Sequence, residues 1–280
     1  MVRIIPKLDI KGPDLVKGIH LEGLRVLGTP ESFAKYYYDE GADEIIFQDV
    51  VASLFERNSL HEIISRTAKN IFIPISVGGG IRTVKDISSV LRSGADRVTL
   101  NTIAVRKPSF IEESVKCFGS STIVLAVEAI KEEDGMYRAF VDNGREYTGL
   151  EVSDWVKRVE NLGVGEIIIT SVDNEGTGRG FDIELLNLIR KNTSISIIAH
   201  GGAGNIENIK EAINTGVNGL ALSSCLHYEA INKINRNDVK NNFEGNNLFL
   251  KSGMKRKINT LTIRQIKECL NNNNINIRPV

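Results

Sequence analysis

Apolar residues in this chain fall into eight short, almost continuous runs, at residues 3–8, 43–48, 71–77, 96–100, 122–128, 165–170, 195–199 and 218–222. They are rich in Ile and Val and bounded by Gly, Asp or Asn, which is the pattern of strands buried on both faces. Between them the apolar positions change to a helical period, over roughly 31–40, 58–68, 83–93, 108–117, 152–162, 183–191 and 205–215, with a last helix near 261–271. Strands buried on both sides and alternating with crossover helices predict parallel pairing with helices outside. Eight such units predict a closed (β/α)8 TIM barrel rather than an open doubly wound sheet.

The pattern also repeats. Ser76-Val77-Gly78-Gly79-Gly80 returns as Ala199-His200-Gly201-Gly202-Ala203, and Gly41-Ala42-Asp43-Glu44-Ile45-Ile46 returns as Gly163-Val164-Gly165-Glu166-Ile167-Ile168, at an offset of about 122 residues. The expected organisation is one barrel over residues 1–280 built from two half-barrels, 1–120 and 121–225. A polar, Asn- and Lys-rich insertion at 232–257 follows, then a C-terminal helix and tail at 258–280. The connection from Lys11 to Pro30 is too long for an ordinary strand-to-helix loop and is expected to form a lid over the barrel mouth. Tyr137 to Tyr147, around Asp142-Asn143-Gly144, reads as a β-hairpin inserted after strand five.

Composition narrows the function classes. Lys plus Arg and Asp plus Glu both number 35, so no overall field favours nucleic acid or an anionic membrane, and any anion site must be local. Cys117, Cys225 and Cys269 are scattered, without metal-ligand or disulfide spacing, and no run approaches a membrane span. A reduced, cytoplasmic location is expected, with no metal and no organic cofactor.

Candidate chemistry follows from the barrel. Asp9 ends strand one and Glu128 ends strand five, on opposite sides of the mouth, where paired carboxylates can act as general acid and base. Gly79, Gly80, Asn101 and Thr102 leave strands three and four. Gly201, Gly202, Ser223 and Ser224 leave strands seven and eight. Glycine lets backbone approach an anion and the amide and hydroxyl groups donate to it, so two symmetric sets suit a substrate with a phosphate at each end. Lys17, in the expected lid, could add charge to one phosphate. His200 is expected to pack or to hydrogen-bond phosphate. Arg3, Glu44, Arg97 and Glu166 begin strands one, two, four and six and are expected to form a salt-bridged stopper at the N-terminal face.

Together Leu8-Asp9-Ile10-Lys11, Leu15-Val16-Lys17-Gly18, Val77-Gly78-Gly79-Gly80-Ile81, Gly94-Ala95-Asp96, Asn101-Thr102, Thr170-Ser171, Gly176-Thr177 and His200-Gly201-Gly202-Ala203-Gly204 resemble the cyclase subunit of imidazole glycerol phosphate synthase. The resemblance implies that ammonia from a glutaminase subunit, bound as a heterodimer, is added to a bisphosphorylated formimino ribulosyl substrate in histidine biosynthesis. It implies Asp9 and Glu128 as the acid/base pair, with Thr170, Glu175 and Gly176 joining the two phosphate sets and Lys17. It also makes the ring of Arg3, Glu44, Arg97 and Glu166 an ammonia gate and puts Asp96 at the glutaminase interface. Three residues depart from the family pattern: Glu128 and Glu175 stand where it has Asp, and Lys7 replaces a small residue beside Asp9, which predicts an ion pair with that carboxylate. The same departures suit a paralogue that delivers ammonia to a sugar amidotransferase in surface-polysaccharide synthesis.

Overall fold

The computed structural model describes residues 1–52, 60–234 and 258–280. Its strands are β1 (Arg3–Lys11), β2 (Asp14–Ile19), β3 (Glu22–Gly28), β4 (Ile45–Asp49), β5 (Ile75–Gly78), β6 (Arg97–Leu100), β7 (Ile123–Lys131), β8 (Tyr137–Val141), β9 (Glu146–Glu151), β10 (Glu166–Ser171), β11 (Ser196–His200) and β12 (Gly219–Leu222). The pairing runs β1-β4-β5-β6-β7-β10-β11-β12 and returns from β12 to β1, every pair parallel. These eight strands close a (β/α)8 barrel, as the apolar runs predict.

The wall follows from strand parity. Side chains alternate across a strand, so one set fills the barrel and the other meets the helices. Ile4, Leu8 and Ile10 of β1 join the large cluster under the helices, whereas Ile5 meets Ile46, Val124, Ile168, Ile198 and Ala221 in a separate interior layer. The outer helices hold their ends by local chemistry. Thr83 caps the helix Val84–Arg92 in a capping box with Asp86, and Asn205, one half-repeat later, caps Ile206–Asn214 by accepting from the Asn208 N–H.

Several elements differ from expectation. The Lys11–Pro30 connection is an antiparallel hairpin, β2–β3, continuing from β1, because Val16, Val26 and Val50 give it a small apolar core of its own. The expected hairpin after strand five is present as β8–β9, with Asp142, Asn143 and Gly144 in its turn. The third barrel strand begins at Ile75 rather than residue 71, since Pro74 lacks an N–H and Phe72 is exposed. A short helix, Thr102–Arg106, precedes Ser109–Phe118.

The helix after β12, Ser224–Lys233, gives no periodic signal because Ser224 to Tyr228 are all buried. The last helix, Ile263–Asn272, packs beside Ile206–Asn214 in the outer layer, and its Lys267 and the later Arg278 both reach Asp43 Oδ1 at 2.7 Å. The 232–257 insertion, beyond its first three residues, lies outside the described residues. Among the described residues no helix is long and apolar enough to cross a membrane.

Candidate functional site

The two glycine sets build two clefts at the C-terminal ends of the barrel strands. The first encloses about 830 Å³, open to solvent, and includes Gly79, Gly80, Thr99, Asn101, Thr102 and Glu128 in its wall. The second, about 260 Å³, includes Glu175, Gly176, Gly201, Gly202, Ser223 and Ser224. Their backbones match across the repeat. Gly79 and Gly201 both have φ +99°, and a Cβ would stand 2.4 Å from the Asp49 carbonyl oxygen in one half and 2.6 Å from that of Ser171 in the other. Only glycine fits there. Asn101 (φ −135°, ψ −89°) and Ser223 (φ −128°, ψ −88°) share one uncommon conformation at the ends of strands four and eight.

Each cleft also holds a buried hydroxyl that has no hydrogen-bond partner among the described residues, Thr99 Oγ1 in the first and Ser224 Oγ in the second. Buried polar atoms are ordinarily satisfied, so these two point to a polar ligand. Ser223 differs, because its hydroxyl donates to the Lys7 carbonyl at 2.8 Å. Thr99 escaped the sequence reading although it stands two residues before Asn101 on the same strand, and strand parity was the available signal. Arg82 and Arg106, in the wall of the first cleft, gave no such signal, Arg82 because its loop has no period and Arg106 because its helix is only five residues long.

The two carboxylates stand differently: Glu128 is part of the first cleft's wall, and Asp9 lines neither cleft. Asp9 is buried on β1, with the Lys7 ammonium on Oδ1 and Lys17 Nζ 3.7 Å from Oδ2. Burial alone would raise its pKa, but Lys7 and Lys17 overcome that and hold it at about 2. Lys17 is buried and also paired with Glu175, so it lines neither cleft; the sequence had placed it against a phosphate. Burial lowers the Lys17 pKa less than Glu175 and Asp9 raise it.

Glu175 in addition accepts from the Leu21 N–H at 3.0 Å, tying the β2–β3 tip to the loop after β10. Glu128 faces the first cleft from β7 and accepts from the Gly144 N–H at 2.8 Å. Burial pushes its pKa up to about 7, against the opposing pull of Gly144, Lys7 and Asn101. The two acids are therefore driven apart by their surroundings. His200 meets Thr170 Oγ1 at 3.0 Å, and burial together with Lys7 keeps its pKa well below the ordinary value, hence neutral.

At the opposite end Arg3, Glu44, Arg97 and Glu166 close a ring of ion pairs. Arg3 Nη1 meets Glu44 Oε2 at 2.8 Å and Arg97 Nη1 lies 3.5 Å from Glu44 Oε1, while Glu166 pairs with both arginines. Ser76 Oγ donates to Glu44 at 2.5 Å. The interior apolar layer of Ile5 and its neighbours lies between this ring and Lys7. Asp96 sits exposed at the same end, where its carboxylate accepts from the Ile75 N–H at 2.8 Å.

Comparison with known proteins agrees with this architecture. The family model described as "Histidine biosynthesis protein" matches residues 3–232. Imidazole glycerol phosphate synthase subunit HisF of Legionella pneumophila is 52% identical over 206 residues, which is 74% of this chain and 97% of the relative. The proteins of the same name from Alkaliphilus metalliredigens (strain QYMF) and Thermobifida fusca (strain YX) are 43% identical over 230 residues and 40% over 244. They cover 82% and 85% of this chain and 91% and 94% of their own lengths. A two-clefted barrel with opposed carboxylates, matched along nearly all of its described wall, places this chain in the histidine biosynthesis protein family, within the imidazole glycerol phosphate synthase subunit HisF group.

Proposed function

We propose that the chain is the cyclase subunit of an imidazole glycerol phosphate synthase. It adds ammonia to a bisphosphorylated formimino ribulosyl substrate and yields imidazole glycerol phosphate and an aminoimidazole carboxamide ribotide. The observation that carries this reading is the pair of matched clefts, each with a buried hydroxyl unpartnered among the described residues, with Glu128 in the wall of the first. One phosphate end lies against Gly79, Gly80, Asn101 and Thr102. The other lies against Gly176, Gly201, Gly202 and Ser224. The reacting middle of the substrate then spans the two carboxylates, where Glu128, near pH 7, can both give and take a proton.

Ammonia enters from the N-terminal face through the ring of Arg3, Glu44, Arg97 and Glu166. A glutaminase subunit docks there as a heterodimer, over exposed Asp96 and Phe72. The reaction runs in the cytoplasm, where Cys117, Cys225 and Cys269 stay free. The test is to mix the protein with an ammonium salt and the bisphosphate substrate and follow substrate loss, with Asp9→Asn as the control that should abolish turnover.

A second reading, an ammonia-delivering partner of a glutaminase and a sugar amidotransferase in surface-polysaccharide synthesis, is favoured by one observation: two lysines already engage Asp9. Tight binding of the bisphosphate without turnover would select it.

A further inference from the structure

Lys7 is a buried cation inside the barrel. Arg3, Ile5, Lys7 and Asp9 alternate on β1, with Arg3 in the bottom ring and Ile5 in the interior apolar layer, so Lys7 is the next inward residue toward the mouth. A lysine here bears a large desolvation cost unless it is paired. Its partner is Asp9.

The backbone of Lys7 is pinned as well. Its carbonyl accepts from Ser223 Oγ at 2.8 Å and from His227 Nε2 at 3.0 Å. His227 Nδ1 in turn accepts from the Tyr37 hydroxyl at 2.6 Å, which assigns the ring proton to Nε2. The backbone of Lys7 is thus held from the helix side of the wall, while its ammonium is held by Asp9 in the barrel interior.

The charges around Asp9 come from every element packed on it. They are Lys7 on its own strand, Lys17 on β2 with Glu175 behind it, neutral His200 on β11, neutral His227 on the helix after β12, and Glu128 across the mouth on β7. Lys7, Lys17, Asp9 and Glu175 sum to zero when all four are ionised. Glu128 is then the surplus group: among the described residues it has no ion pair, the donors on it are the neutral Gly144 N–H and Asn101 side chain, and the like charge beside it is Asp142 of the β8–β9 turn.

We propose that Lys7 is a positioning residue for the acid/base pair. Its ammonium takes one oxygen of Asp9 while Lys17 faces the other, which fixes Asp9 as a permanent carboxylate and leaves Glu128 as the member that exchanges protons with bound substrate. This rests on the reading that the pair performs acid/base work. It goes further in dividing the labour and in giving Lys7 a part that neither cleft requires, since Lys7 lines neither.

The test is a carboxyl ¹³C NMR titration of the full chain as wild type, Lys7→Met and Lys7→Arg, alongside pH profiles of ammonium-dependent turnover. In wild type, Asp9 should remain ionised at every pH at which the protein is folded. In Lys7→Met the midpoints of both Asp9 and Glu128 should rise, Asp9 by about one unit or more. The pH profile should move upward with Glu128, and kcat should fall about 10-fold or more with KM for the bisphosphate unchanged. Lys7→Arg should restore the wild-type midpoints, and Lys7→Gln serves in place of Lys7→Met if that variant does not fold.

Midpoints that stay put in Lys7→Met, an arginine variant that behaves like methionine, or a loss confined to KM would each overturn the proposal. The titrations read Lys7 without any turnover, so shifted midpoints in a protein that never consumes the bisphosphate would retain the clamp while refuting the cyclase. Unmoved midpoints in an active enzyme would do the reverse.

Discussion

Replacing Glu128 with glutamine should make the protein more stable at alkaline pH. The folded site raises this carboxyl from its ordinary 4.5 to about 7, mainly by burial, so folding favours the protonated form. A group of this kind contributes stability that is present in full below pH 4.5 and is lost as pH rises through about 7. The gap corresponds to about 3 kcal/mol, reduced to about 2 where solvent enters the open cleft. Glutamine keeps an oxygen to accept from the Gly144 N–H and never ionises.

Urea denaturation at a series of pH values measures the difference between the two proteins. Relative to wild type, Glu128→Gln should gain about 2 to 3 kcal/mol between pH 4 and pH 8, with most of the change between pH 5 and 7.5. His200 and His227, held neutral by burial, contribute stability that is lost as pH falls, but both proteins share them and they cancel in the difference. A flat difference curve would refute the reasoning, since it would mean that Glu128 is as well solvated when folded as when unfolded.

Gly201→Ala should weaken binding of inorganic phosphate to the second cleft, seen by calorimetry. It should also lower stability by more than the ~1–2 kcal/mol of left-handed strain, because the new Cβ would meet the Ser171 carbonyl oxygen. Arg97→Met removes one cation from the bottom ring and leaves Glu166 with Arg3 and Ser196, so urea titration should show a loss of about 3 kcal/mol while phosphate binding at the mouth is unchanged. Tyr37→Phe deprives His227 Nδ1 of its donor inside the wall and should cost about 1–3 kcal/mol, read as a lower Tm.

The barrel was legible because its signal is repeated: eight apolar runs, two glycine pairs at matching offsets, and carboxylates at equivalent strand ends. Those are local patterns with a period. What escaped depends on contacts between distant residues. The role of Lys17 could not be read from its loop, because Glu175, far away in the chain, takes its ammonium. The helix Ser224–Lys233 hid for the opposite reason, since burial over its whole first half removes the polar face that periodicity detects. Thr99 was missed because a hydroxyl in a strand looks like ordinary β-propensity until its missing partner is seen.

The floor of the barrel, with two guanidinium groups and two carboxylates arranged alternately, carries no net charge. For a small uncharged solute to pass, one arm of the ring would have to swing aside while the remaining contacts stay made. An ion would have to part a pair and then sit beside a like charge, with only aliphatic side chains above it to replace its water. On the route proposed above for ammonia, a floor of this kind would favour the free base over its conjugate acid.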